Sequence, residues 1–120
     1  MLFLVTALES AVIELKSLHR RLAAAGLGAT GRFSFGSSDL LLATLGVTPG
    51  SVTPFGALND TSGRVTIVLD AEVMQHAVIN AHPLVNTMTT SIARDDLVRF
   101  LESIGHPPRI LDVTGPDSEL

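Results

Sequence analysis

Apolar residues fall along this chain in two kinds of run. Leu2-Phe3-Leu4-Val5 is continuous, and it predicts a short buried strand over Leu2–Ala7. Leu15, Leu18 and Leu22 recur at helical spacing, with Lys16, Arg20 and Arg21 pointing away from them. That pattern predicts a helix over Glu14–Ala25, stopped by Gly26 and Gly28. Arg32–Phe35 alternates polar and apolar positions and reads as a strand. Ser37 or Ser38 is a suitable helix cap, with Asp39 near the positive end of a helix running to Leu45 and ending at Gly46.

A stretch punctuated by glycine, proline, serine and threonine follows, from Val47 to Gly56. Asn59-Asp60-Thr61-Ser62-Gly63 has turn chemistry and predicts a hairpin joining Ala57-Leu58 to Arg64–Leu69. Asp70 is read as the cap of a brief helical turn reaching about Gln75. Val78–Ala81 is strand-like, His82-Pro83 interrupts it, and Thr87–Ile92 is rich in β-branched residues. Leu97, Phe100, Leu101 and Ile104 mark the clearest helix, Arg94–Ile104, with Asp95 and Asp96 in its first turn. Gly105 ends it, Pro107-Pro108 block its continuation, and Arg109–Val113 reads as a final strand.

Several of these strands are joined by links too short for a crossover, so the sheet cannot be all parallel. The expected fold is α+β (mixed α/β): a single domain over 1–113, with one curved mixed β-sheet flanked by helices. A polar tail occupies 114–120.

Composition sharpens this picture in a few places. With 120 residues, 46% of them hydrophobic, and a mean hydropathy of +0.41, the chain has ample material for one core. It is more apolar than a small domain needs, which suggests self-association or a covered face. There is no cysteine, which excludes disulfides and thiol nucleophiles. No apolar run reaches the roughly 20 residues needed to cross a bilayer. No basic residue precedes Leu2, so Leu2–Val5 reads as a strand and not as an export signal, and the expected compartment is the cytoplasm. The net charge of −4, with Lys16 the single lysine, argues against a protein that grips long stretches of nucleic acid. Lys16-Ser17-Leu18-His19-Arg20-Arg21 is the densest basic cluster. It fits the solvated face of a helix, or a contact to one end of an RNA.

Candidate chemistry centres on two segments. In the first, Gly50 and Gly56 let the main chain approach a ligand, while Pro49 and Pro54 stiffen it. Such a segment can aim several N–H groups at a carbonyl oxygen or a terminal ribose. The same composition also fits an ordinary compact surface loop. In the second, His82 is followed by Asn86 and Thr87, which groups an imidazole, an amide and a hydroxyl. These can position an amine or activate water, or His82 can be a structural histidine. His19, His76, His82 and His106 lack the paired spacing of a metal site. Ser51, His82 and Asp60 make a triad only on paper, since no Gly-x-Ser-x-Gly elbow is present. His106, just past a helix end, is read as neutralising that helix's dipole.

Three strings occur in a telling order. Leu45-Gly46-Val47-Thr48-Pro49-Gly50-Ser51-Val52-Thr53-Pro54-Phe55-Gly56-Ala57-Leu58-Asn59-Asp60 resembles the signature loop of the YbaK/ProX family, with its Gly-x-x-x-Pro element as Gly50 to Pro54. His82-Pro83-Leu84-Val85-Asn86-Thr87 is similar to the family's His-Pro-x-x-Asn-Thr. Asp96-Leu97-Val98-Arg99-Phe100-Leu101, with Gly105-His106-Pro107 and the run from Ile110 to Val113, is the third match. The Pro-Phe-Gly and Asn-Asp forms look closer to the stand-alone ProX branch.

The resemblance implies hydrolysis of the ester between a wrong amino acid and tRNA, chiefly tRNA for proline. Alanine is associated with the ProX branch and cysteine with the YbaK branch. It implies no metal, no other cofactor and no covalent nucleophile. Gly50 and His82 are then the expected catalytic positions, and Ser51, Pro54, Phe55, Gly56, Asn86 and Thr87 the expected substrate contacts. The implied partners are the acceptor end of an aminoacyl-tRNA and a prolyl-tRNA synthetase, and no membrane is implied; the apolar surplus of the chain adds a second copy of itself as an expected partner. Family members carry a further N-terminal helix and strand, and a pocket lysine just before the strand that begins here at Leu2. No lysine stands there, so the chain is expected to be a shortened member with an incomplete pocket and weak or absent turnover. A non-catalytic module binding aminoacyl-tRNA or a synthetase is the alternative expectation.

Overall fold

The run Val65–Asp70 is apolar at four of its six positions, with Val65, Ile67, Val68 and Leu69 falling on both faces, which suits a strand covered on both sides. The computed structural model describes residues 2–8, 13–28, 36–46, 53–81 and 90–113, and it places this run at the centre of the domain. In chain order the regular elements are β1 (Leu2–Thr6), α1 (Leu15–Ala24), α2 (Ser38–Leu45), a 3₁₀ helix (Pro54–Asn59) and β2 (Val65–Asp70). A 3₁₀ turn (Val73–Gln75), β3 (Val78–Ala81), β4 (Thr90–Ala93), α3 (Arg94–Ser103) and β5 (Arg109–Leu111) complete it.

β1, β2 and β5 form a three-stranded parallel sheet with β2 in the middle. Leu2 pairs with Val65 and Thr6 with Leu69, while Asp70 pairs with Leu111. Side chains alternate across this sheet. Leu2, Leu4, Val65, Ile67 and Leu69 join one apolar cluster with Leu45, Ala57, Leu97 and Leu101, from α2, the 3₁₀ helix and α3. Phe3, Val5 and Val68 join the other, with Leu18 and Leu22 of α1 and with Val113. The sheet is thus sandwiched between α1 on one side and α2, the 3₁₀ helix and α3 on the other. β3 and β4 form a separate antiparallel ribbon, in which Ile79 pairs with Ile92 and both pack on the first cluster.

The helices end as their residues dictate. The Ser37 hydroxyl accepts a hydrogen bond from the Leu40 N–H at 3.1 Å, and Gly46 closes α2 in the left-handed conformation at φ +67°. No described helix is long and apolar enough to cross a membrane.

The mixed α+β class agrees with the sequence reading, and several details differ. Ala57-Leu58 are not a hairpin strand, because residues 54–59 coil into the 3₁₀ helix. Pro54 presets the φ of its first turn, and the Thr53 hydroxyl accepts from the Phe55 N–H. Asp70 is not a cap. It is fully buried at the end of β2, where its Oδ1 accepts from the Val113 N–H at 3.1 Å. The single curved sheet is, among the described residues, a parallel sheet plus a ribbon. The expected strand Arg32–Phe35, residues 87–89 of the expected strand Thr87–Ile92, and the tail 114–120 lie outside the described residues.

Leu22 has no solvent exposure and packs where α1 meets Val68 and Val113. Leu22→Ala is expected to cost about 2–5 kcal/mol of stability. Urea unfolding checks this as a lowered midpoint at unchanged slope.

Candidate functional site

The end of α2 and the 3₁₀ helix lie on either side of residues 47–52. Gly50 and Ser51 belong to that segment and lie outside the described residues. Its flanks are tied together by one side chain, since Asn59 Nδ2 donates to the Leu45 carbonyl at 2.8 Å. Gly46 makes this tie possible in two ways. Its φ of +67° suits glycine, and a Cβ there would stand 2.7 Å from Asn59 Nδ2.

Pro54, Phe55 and Gly56 are described. Pro54 is buried at the first position of the 3₁₀ helix. Phe55 is half-buried and meets Phe100 of α3 edge to face, with centroids 5.7 Å apart. Gly56 is buried against α2, where a Cβ would approach the Leu45 Cβ to 3.2 Å. Close packing inside the protein is therefore one reason for glycine here, beside the ligand approach expected from the sequence.

The 3₁₀ helix closes on Asp60, whose N–H donates to the Ala57 carbonyl at 3.1 Å. Asp60 is 3% exposed, and its Oδ2 accepts from the Val65 N–H at 2.8 Å. The same oxygen faces His106 Nε2 at 2.9 Å. His106 is buried too, with Nδ1 3.2 Å from the Ile104 carbonyl. Burial alone would raise the Asp60 pKa. Hydrogen bonds from His106 and from the Val65 and Arg64 N–H groups, with the His106 charge, outweigh it and hold the carboxyl below its ordinary value. His106 was expected to serve only the helix dipole; instead it anchors a carboxylate 46 residues away in sequence. Asp60 is committed to that bond and to β2, which removes it from the paper triad with Ser51 and His82.

The second candidate segment connects β3 to β4. His82, Asn86 and Thr87 all belong to residues 82–89 and lie outside the described residues. The ribbon that carries the segment is well fixed. Ile79 and Ile92 sit in the same cluster as Leu45, Phe55 and Ala57, and the Ser91 hydroxyl donates to Asn80 Oδ1 at 2.7 Å across the strands. Arg94 locks the ribbon's exit, donating from its N–H to the Ala77 carbonyl and from its guanidinium to the Met74 carbonyl, each at 2.8 Å. The described anchors of both candidate segments therefore share one apolar base.

Sequence reasoning missed Asn59, Asp60, Phe100 and His106 as supports. Asn59-Asp60 carried a signal, namely side chains able to take backbone groups, but the nearby glycine made it look like a plain turn. Nothing local in the sequence pairs His106 with Asp60. No group of three or more His, Asp or Glu side chains among the described residues is arranged to hold a metal ion.

The class of protein that the fold defines is a small α+β domain in which the described flanks of residues 47–52 and the strands β3 and β4 share one apolar cluster. The chain belongs to the aminoacyl-tRNA editing domain family, of the YbaK/ProX type, which matches residues 2–100. It is 40% identical over 111 residues to prolyl-tRNA synthetase associated domain-containing protein 1 of Danio rerio, covering 91% of this chain and 57% of that protein. It is 31% identical over 111 residues to the prolyl-tRNA editing protein ProX of Acetoanaerobium sticklandii, covering 92% of this chain and 64% of that protein. The chain thus spans less than two thirds of the length of either relative. In fold it is similar to the crystal structure of hypothetical protein APE2540, with a TM-score of 0.64 at 12% identity, covering 94% of this chain and 65% of that one.

Two outcomes follow from the supports. Gly46→Ala is expected to cost about 1–3 kcal/mol, because it strains a left-handed residue and displaces the Asn59 amide. Gly63→Ala, at φ +72° with nothing within 4 Å, carries the backbone term alone and should cost less in the same denaturation series. For Asp60, a folded pKa below the unfolded one means the unfolded chain binds more protons as pH falls. Its contribution is therefore complete above about pH 4 and is lost as pH drops through the folded value. Urea midpoints taken from about pH 5 down to about pH 2.5 should fall more steeply for the native chain than for Asp60→Asn.

Proposed function

We propose that this domain hydrolyses the ester joining a wrong amino acid to tRNA, with alanine on tRNA for proline as the preferred substrate. The observation that supports it best is the common base of the two segments. Leu45, Phe55 and Ala57 at the flanks of the Gly50 segment pack in one cluster with Ile79 and Ile92 of the ribbon that carries His82. Segments rooted in one rigid cluster are suited to act on one small substrate.

In this reading the main-chain N–H groups around Gly50 and Ser51 stabilise the negative charge that develops on the ester carbonyl oxygen. An ester needs less activation than an amide, so a strong nucleophile is dispensable. The imidazole of His82 orients or activates the attacking water, and Asn86 and Thr87 bind the amino group. Pro54, Phe55 and Gly56 form a wall that admits a small side chain. Exclusion of larger residues by such a wall is effective, whereas separating substrates by a single methylene yields only about 1–3 kcal/mol.

The partners belong to the same proposal. The chain engages the acceptor end of an aminoacyl-tRNA in the cytoplasm, with few phosphate contacts, consistent with its net charge of −4. A prolyl-tRNA synthetase is the proposed protein partner, in line with the name of the Danio rerio relative.

Incubating the chain with alanyl- and prolyl-tRNA for proline tests this. Alanine should be released faster than in buffer, and faster than proline. His82→Ala should lower that release by about 10²–10⁴-fold. Saturable binding of both tRNAs with release no faster than in buffer would identify a binding module instead.

A further inference from the structure

The proposed chemistry makes no use of the buried Asp60–His106 pair. A buried ion pair is also no better for stability than well-packed apolar side chains of similar size. Its placement offers another reason for it. The six-residue 3₁₀ helix Pro54–Asn59 is gripped near its start by α3 and just past its end by the turn that follows α3. At its start, Phe55 meets Phe100 with centroids 5.7 Å apart. At its close, Asp60 Oδ2 meets His106 Nε2 at 2.9 Å.

His106 is itself firmly held. Gly105 turns the chain at φ +80°, and the His106 N–H donates to the Leu101 carbonyl at 2.8 Å. The ring then lies between two acceptors, the Ile104 carbonyl at 3.2 Å and the Asp60 carboxylate. Asp60 in turn holds the first N–H of β2 and receives the Gly63 N–H on its own carbonyl at 3.3 Å. Asp60 thus joins the 3₁₀ helix and the following turn through its main chain to the start of the central strand and His106 through its carboxylate.

We propose that Asp60 and His106 are positioning residues, and that with Phe100 they make α3 and the turn after it a two-point clamp on the segment that binds the acyl group. The inference rests on the deacylase reading for its link to turnover, and on geometry alone for the clamp. A 3₁₀ helix rises about 2 Å per residue, so its two ends stand roughly 10 Å apart and His106 acts at a distance from Pro54. It therefore orients the segment without touching substrate. Misplacing a catalytic frame by about 1 Å can cost about 10²-fold in rate.

The test compares the native chain with His106→Ala, His106→Gln and Asp60→Asn at a temperature where circular dichroism shows each folded. His106→Ala and Asp60→Asn should lower kcat for alanyl-tRNA about 10–100-fold, with KM changed far less. His106→Gln keeps one donor for Asp60 and should recover part of the loss. Hydrogen exchange is read on the same samples. Peptides covering 53–65 should exchange at least tenfold faster in His106→Ala, while those covering β1 and α1 keep the native rate. A native exchange pattern over 53–65 in folded His106→Ala would overturn the clamp whatever the activity. Faster exchange there with unchanged kcat would overturn the positioning role. If the native chain releases no alanine, the deacylase reading and the link to turnover both fail, and the exchange result alone decides the clamp.

Discussion

Burial of β2 on both faces is the constraint from which the rest of the architecture follows. A strand with Val65, Ile67 and Leu69 on one side and Val68 on the other needs a layer of helix over each face. α1 supplies one layer. The other is shared by α2, the 3₁₀ helix and α3, and it is the layer that packs with the described anchors of both candidate segments. The side of the sheet opposite α1 therefore serves two purposes: it completes the core, and it forms a common floor for the residues that flank both candidate segments. Large-to-small changes in Leu45, Ala57 or Leu97 would be felt at that floor as well as in global stability.

The floor explains how a glycine- and proline-rich segment can serve a definite purpose. Such sequences gain precision only from what holds their ends. Here the holding is done by polar groups aimed at the backbone: Asn59 on the Leu45 carbonyl and Asp60 on the Val65 N–H, with Arg94 on the Met74 carbonyl doing the same for the β3–β4 ribbon. Each replaces a hydrogen bond that the irregular chain cannot make to itself. Leaving such groups buried and unpaired would cost about 1–3 kcal/mol each. Irregular backbone and its polar side chains thus form one unit.

Much of this was legible in the sequence because it is local. Leu15, Leu18 and Leu22 announced α1, and Leu97 and Leu101 announced α3, through periodicity alone. Gly46 and Gly105 announced helix ends, and both adopt positive φ. Pairing was not legible in the same way. Val65–Leu69 reads equally well as a hairpin arm or as the core of a parallel sheet, since a continuous apolar run does not say which edges it meets. Asn59 and Asp60 looked like turn residues because their partners, Leu45, Val65 and His106, are distant in sequence or belong to another element. For Gly50 and His82 the resemblance to the family, and not the spacing of residues, carried the reading.

The charge balance bears on how such a domain meets an RNA. Twelve acidic side chains against eight basic ones give little electrostatic steering toward phosphate. Several of the basic groups are also engaged at home. Arg21 is bonded to Ser17 and to the Asp112 carbonyl, Arg94 to Met74 and Asp95, and Arg99 lies 3.3 Å from Asp96. In the proposed reading, discrimination by main-chain donors and a short apolar wall needs no large basic surface, because it would read the acyl group and not the polynucleotide. On that same proposal, the choice of tRNA falls to a partner and the rejection of the wrong amino acid to this domain.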